Sequence, residues 1–156
     1  MSIKVKCLID WTMDKYLGGV PAGTKWQAPV LESLTKGTVF TKHGRGGFFS
    51  APKAPRIVWV KADLSAVCYG KIRGEEPDGE LSVSQCKMIR GVRTPGFLRS
   101  VGALDENDDR ISLETRALSL DTTDHKDGRT LDLEARSASE AETWYTNLKY
   151  LFNAAL

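Results

Sequence analysis

The clearest periodic signal lies in the last twenty residues, Ser137 to Leu156. Ala141, Trp144, Leu148, Leu151 and Ala155 are spaced three, four, three and four apart. That spacing puts them on one face of a helix, with Glu140, Glu142, Asn147 and Lys149 largely on the other. Ser137 and Glu140 stand in the capping-box relation that satisfies open N–H groups at a helix start. No Pro or Gly interrupts the run. A one-sided apolar stripe with a single Trp needs a concave apolar surface to cover, such as the open end of a small barrel.

The rest of the chain reads as short strands and turns. Residues 2–9 alternate, with Ile3, Val5, Cys7 and Ile9 opposite Lys4 and Lys6, and predict a strand. Asp10 to Leu17 predicts a short helix stopped by Gly18-Gly19. Val20 to Leu34, with Pro21, Gly23 and Pro29, reads as a loop that lays Trp26 against the domain. Gly37 to Lys42 and Arg56 to Lys61 then predict the first two strands of the main domain. They are joined by HGRGGFFSAPKAP, whose Gly and Pro content forbids a helix. Ala66 to Gly70, Leu81 to Cys86 and Lys87 to Val92 predict the third, fourth and fifth strands, the acidic EEPDGE joining the third to the fourth. Arg110 to Leu120 predicts a bent sixth. A turn on Asp127-Gly128 leads into the seventh, Thr130 to Ala135.

Seven short strands followed by one capped helix predict a mainly β fold, an antiparallel barrel or sandwich closed by that helix. Residues 1–33 are expected to be an N-terminal extension packed on the core, and residues 34–156 the domain itself.

Composition agrees with this. The chain has 156 residues, 41% apolar and 27% charged, as in an ordinary globular domain able to bury a core. Cys7, Cys68 and Cys86 form no CxxC pair and fit a reducing, intracellular setting. Neither a secretory signal nor an apolar run of spanning length is visible. Met1-Ser2 is not the Met-Gly start that myristoylation requires.

Charge changes the picture more. The formal net charge is +2, yet residues 36–73 hold eight Lys or Arg against the single acid Asp63. Residues 104–156 hold twelve acids against six Lys or Arg. Such separation predicts a polarised molecule with one basic face.

Catalytic signatures are missing from the sequence, and no enzyme activity, metal or cofactor is expected. His43 and His125 belong to no metal-ligand or nucleophile motif. Asp105, Asn107 and Asp109 begin like a calcium loop, but Arg110 and Arg116 stand where Gly and Glu are required. The 44–47 glycine run has no following Lys and helix to make a phosphate loop.

The first hairpin carries the candidate chemistry. Lys42, His43 and Arg45 enter its loop, Lys53 lies near its end, and Arg56 begins the returning strand. Cations meeting at one mouth can converge on a phosphate, Arg as a bidentate fork and Lys as a mobile point charge. Lys71 and Arg73 add to the basic stretch. No acid interrupts the chain between Glu32 and Asp63. Phe48-Phe49 lies inside the same loop and is expected to insert at a headgroup boundary while the cations hold phosphates. Cations gathered at one hairpin, with pI near 8.4, argue against nucleic acid.

KGTVFTKHGR, RIVWV, KMIRGVRT and RTLDLEARSASEAETWYTNLKYL together resemble a pleckstrin-homology domain of the phospholipase C type, over about Leu34 to Leu156. In that family a Lys late in the first strand and an Arg opening the second grip phosphates, which the resemblance assigns to Lys42 and Arg56. The family's second basic residue falls on Gly44, with Arg45 beside it, which implies weak binding of a multiply phosphorylated inositol headgroup. KCLIDWTMDKYLGGVPAGTKWQAP, TKHGRGGF and SAPKAPRIVWV are further similar to the acylated pleckstrin-homology proteins of apicomplexan parasites. That resemblance implies recognition of phosphatidic acid on a secretory organelle, the microneme, with an acylated segment upstream of Met1.

The expectation is therefore a monomeric membrane-docking module, peripheral on a cytosolic membrane face, binding anionic phospholipid and preferring phosphatidic acid. The alternatives are a phosphoinositide reader, or a protein-interaction scaffold of the same fold without lipid specificity.

Overall fold

The computed structural model describes residues 28–44, 53–101, 108–122 and 130–154. The predicted strand 2–9, helix 10–17, Trp26, the Asp127-Gly128 turn and Ala155 lie outside them.

Helix α1 spans Ala28–Lys36, followed by β1 (Thr38–His43), β2 (Ala54–Val60), β3 (Ala66–Gly70) and β4 (Gly79–Ser82). A single 3₁₀ turn, Val83–Gln85, leads into β5 (Cys86–Arg90). Helices α2 (Pro95–Val101) and α3 (Asp108–Arg116) come next, then β6 (Ala117–Thr122), β7 (Thr130–Glu134) and α4 (Ala138–Ala154). All seven strands form one antiparallel sheet in the order β4-β3-β2-β1-β7-β6-β5. The seven-stranded antiparallel architecture with a C-terminal helix is as expected.

The stripe on α4 does what its spacing predicts: Ala141, Trp144, Leu148 and Leu151 are buried, joined by Phe152. Ser137 Oγ accepts from the Glu140 N–H at 3.1 Å, one half of the capping box. The reverse bond goes one residue earlier, from the Arg136 N–H to Glu140 Oε1 at 3.3 Å. Inside the curled sheet, Phe40, Val58, Val67, Leu81, Leu118, Leu131 and Leu133 form the core with this helix.

Three expectations are corrected. The predicted loop Val20 to Leu34 gives way to α1 from residue 28, because Leu31 and Leu34, three apart, are buried in the main core. The helix runs across position 33 and ends at Gly37, whose φ of +90° and 2.7 Å Cβ approach to the Val58 carbonyl suit only glycine. The predicted bent sixth strand is instead α3 followed by β6. Leu113 and Ala117, four apart, pack on Phe97 in a second, smaller core, and Arg116 lies in the last turn of α3. The fourth and fifth strands are shorter than expected, because Val83 turns into the core as the 3₁₀ turn separates them.

Helix α2 was not anticipated, although its start is written in the sequence. Thr94 Oγ1 accepts from the Phe97 N–H at 3.2 Å, and Pro95 takes the first helical position.

Candidate functional site

Strand register decides which basic residues meet. Phe40 pairs with Arg56, and Lys42 with Ala54. Directly opposed residues share a face, as do residues two apart on one strand. Phe40, Lys42, Arg56 and Val58 therefore share the inner face, and Tyr69, paired with Val58, joins them. The Lys42 ammonium lies 5.6 Å from the Tyr69 ring centroid.

Arg56 is held on two sides. Its Nε donates to Asp78 Oδ2 at 2.8 Å and its Nη1 donates to the Pro55 carbonyl at 2.7 Å. Lys53, one residue before β2, is exposed. Lys71, also exposed, stands one residue past the Gly70–Ile57 pair, at the same end of the sheet. Lys42, Arg56, Lys53 and Lys71 thus gather at one end. Arg45, Phe48 and Phe49 lie outside the described residues.

Two predicted phosphate contacts are placed elsewhere. His43 alternates to the outer face of β1, where α2 covers it and leaves it 5% exposed. Its Nε2 meets Glu134 Oε1 at 2.9 Å, its Nδ1 meets Ser100 Oγ at 3.2 Å, and its ring lies 4.5 Å from Phe97. Ser100 Oγ also donates to the Phe97 carbonyl at 2.9 Å. Arg73 donates from Nε to the Thr35 carbonyl at 2.8 Å and lies over Trp59, so it secures the end of α1 to the sheet.

The outer face beneath α2 holds a polar network. Burial pushes the Glu134 carboxyl up, but hydrogen bonds from His43 and from Arg116, whose Nη1 donates at 2.7 Å, outweigh it and hold it below the usual carboxylate range. Beside it, Asp132 is 3% exposed and accepts from Thr94, Ser119 and Thr130 at 3.0, 2.7 and 2.7 Å. This network fixes α2 against β1 and β7, directly behind the strand that ends in Lys42 and His43.

Sequence reading missed Asp78 and Tyr69. Asp78 belongs to EEPDGE, an acidic run that reads as a solvated turn, and only the fold brings it to Arg56. Among the described residues, no group of three or more His, Cys, Asp or Glu side chains could hold a metal ion. No described helix is long and apolar enough to cross a membrane.

The fold finds counterparts among solved structures. PLC21 from S. officinalis aligns over 78% of this chain at 18% identity with a TM-score of 0.53, and the aligned part is 16% of that protein. The pleckstrin-homology domain from TgAPH aligns over 97% of this chain and 93% of its own, at 14% identity and a TM-score of 0.50. The C-terminal pleckstrin-homology domain of human pleckstrin aligns over 85% and 89%, at 15% identity and a TM-score of 0.50.

This chain has the pleckstrin-homology fold.

At these identities the likeness is one of fold. No family model matches the sequence, and no curated protein does so. This pleckstrin-homology chain spans about a sixth of PLC21 and nearly the whole of the TgAPH domain.

Proposed function

We propose that this pleckstrin-homology domain is a non-catalytic module that docks on anionic membranes through its first hairpin, preferring phosphatidic acid. The observation that carries the reading is the shared inner face of Lys42 and Arg56, with Lys53 and Lys71 exposed at the same end of the sheet. Two side chains on adjacent strands, one a fork and one a point charge, suit a single phosphate. Each cation near an anionic surface contributes on the order of 1 kcal/mol, so four give reversible binding.

Phosphatidic acid carries its phosphate close to the acyl boundary. The order GRGGFFSAPK, with two Phe between Arg45 and Lys53, suits a headgroup read low against apolar contact. Gly44 in place of a third cation disfavours a bulky inositol polyphosphate. The resemblance to apicomplexan proteins suggests a cytosolic organelle surface such as the microneme. In this reading residues 1–33 are an extension attached to the lipid-binding domain.

The test is sedimentation with vesicles of defined composition. Lys42→Gln and Arg56→Gln should each weaken binding to phosphatidic acid vesicles while melting like the parent, and added salt should weaken it further. Lys149→Gln, on the exposed face of α4, should change little. Equal losses from all three would reduce the site to diffuse charge.

A further inference from the structure

Arg56 already has an anion beside it. The Asp78 carboxylate sits 2.8 Å from Nε, with the two side chains 22% and 40% exposed. Asp78 is presented by fixed backbone. Its N–H donates to the Tyr69 carbonyl at 2.8 Å, and the next residue, Gly79, lies so close to the Tyr69 ring and hydroxyl that an added Cβ would clash with them. Residues 78–79 are therefore laid flush on the end of β3, beside the ring over which Lys42 sits. The neighbouring acid Glu80 is taken by Lys61 at 3.0 Å, so Asp78 is the carboxylate of this turn that reaches Arg56.

Resting on the phosphate-docking reading above, we infer that Asp78 is an internal competitor: its carboxylate holds the Arg56 guanidinium, and a lipid headgroup phosphate must displace it to bind. The displacement is simple exchange of one anion for another on a partly exposed guanidinium. Phosphate brought alongside without exchange would meet Asp78 as a like charge at close range. Exchange is easiest for a doubly charged phosphomonoester and hardest for a lone phosphodiester. Asp78 thereby becomes a specificity-determining residue, setting the anionic charge a membrane must offer before Arg56 engages it.

The experiment is sedimentation of the full chain with phosphatidylcholine vesicles doped with phosphatidic acid or phosphatidylserine. Asp78→Asn is compared with Glu76→Gln, which removes the same charge from the same turn. Asn keeps the backbone N–H, and a melt of Asp78→Asn, with Asp78→Ser as a second variant, verifies folding. Asp78→Asn should bind about two- to fivefold more tightly than the parent, the factor a partly exposed ion pair corresponds to. The gain should exceed that of Glu76→Gln, be larger on phosphatidylserine than on phosphatidic acid, and vanish in an Arg56→Gln background.

A gain no larger than that of Glu76→Gln, a loss of binding, or a gain that survives Arg56→Gln overturns the inference. If Arg56→Gln and Lys42→Gln bind like the parent, the docking reading fails instead. If neither parent nor Asp78→Asn sediments with any vesicle, both fail. Inorganic phosphate titrated into parent and Asp78→Asn separates the sources: a gain restricted to vesicles assigns the displaced position to a lipid headgroup, whereas the same gain for free phosphate overturns the membrane threshold.

Discussion

Trp144 of α4 and Phe40 of β1 meet edge to face, ring centroids 5.4 Å apart and planes at 88°. The same indole donates its N–H to Thr38 Oγ1 at 3.2 Å. One side chain thus ties the closing helix to two residues of the strand that ends at the candidate phosphate site, through an aromatic contact and a polar one.

Trp144→Ala should therefore destabilise the domain by about 3–5 kcal/mol. Thr38→Val, which removes only the acceptor, should cost about 1 kcal/mol. Urea denaturation of both variants checks this. A Trp144→Ala domain with the parent's midpoint would show that the helix does not depend on this plug.

The Phe pair gives a second prediction. Phe48→Ala combined with Phe49→Ala leaves every charge in place, yet should lower binding to phosphatidic acid vesicles several-fold, since partial insertion of the two rings removes apolar surface from water at about 25 cal/mol per Å². Soluble inositol phosphates should compete poorly. Tight stoichiometric binding of an inositol trisphosphate in calorimetry, unchanged by the double substitution, would place the domain among phosphoinositide readers.

A third concerns acid. The folded pKa of Glu134 lies below its ordinary value of 4.5, so the stability it contributes is complete above that value and is lost as pH falls through the folded one. Glu134→Gln should be less stable than the parent at neutral pH and should lose less on acidification to about pH 3. Denaturation midpoints across that range measure it. Parallel curves for the two proteins would mean that the His43 and Arg116 contacts do not stabilise the charged form.

Asp132 supplies a fourth. Removing it leaves two buried hydroxyl donors, Thr94 and Ser119, and the half-buried Thr130 without their acceptor, each worth about 1–3 kcal/mol. Asp132→Ala should cost at least about 3 kcal/mol and loosen α2 first. Amide exchange in residues 95–101 faster than in α4 is the expected signature.

How much of this was readable from the chain follows physical lines. The helix α4 is a local object: its stripe and Ser137 cap lie within twenty residues, and both act as their spacing indicates. The strands β1, β2, β3 and β7 were legible because alternation is also local. Thr94-Pro95 was an equally local signal for α2, overlooked beside the strand-like residues around it.

Alternation in the sequence marks a strand but not its exposure where both faces are covered. In β7 Leu131, Asp132 and Leu133 are all buried, the two Leu in the core and the Asp under α2. The residues 110–116 look like a bent strand because one apolar residue in two is also compatible with a short helix, and the choice fell to Leu113 packing on Phe97.

For the candidate site, the sequence alone determined the supply of cations and their concentration before residue 74. Only the tertiary structure decided which of them share a face. Lys42 and His43 are neighbours in the chain, but a strand sends successive side chains to opposite sides, one toward the mouth and one beneath α2. Asp78 lies 22 residues from Arg56, and no periodicity connects them. Their pairing arises from the antiparallel register of β2, β3 and β4, because contacts across a sheet are fixed by strand pairing and not by distance along the chain.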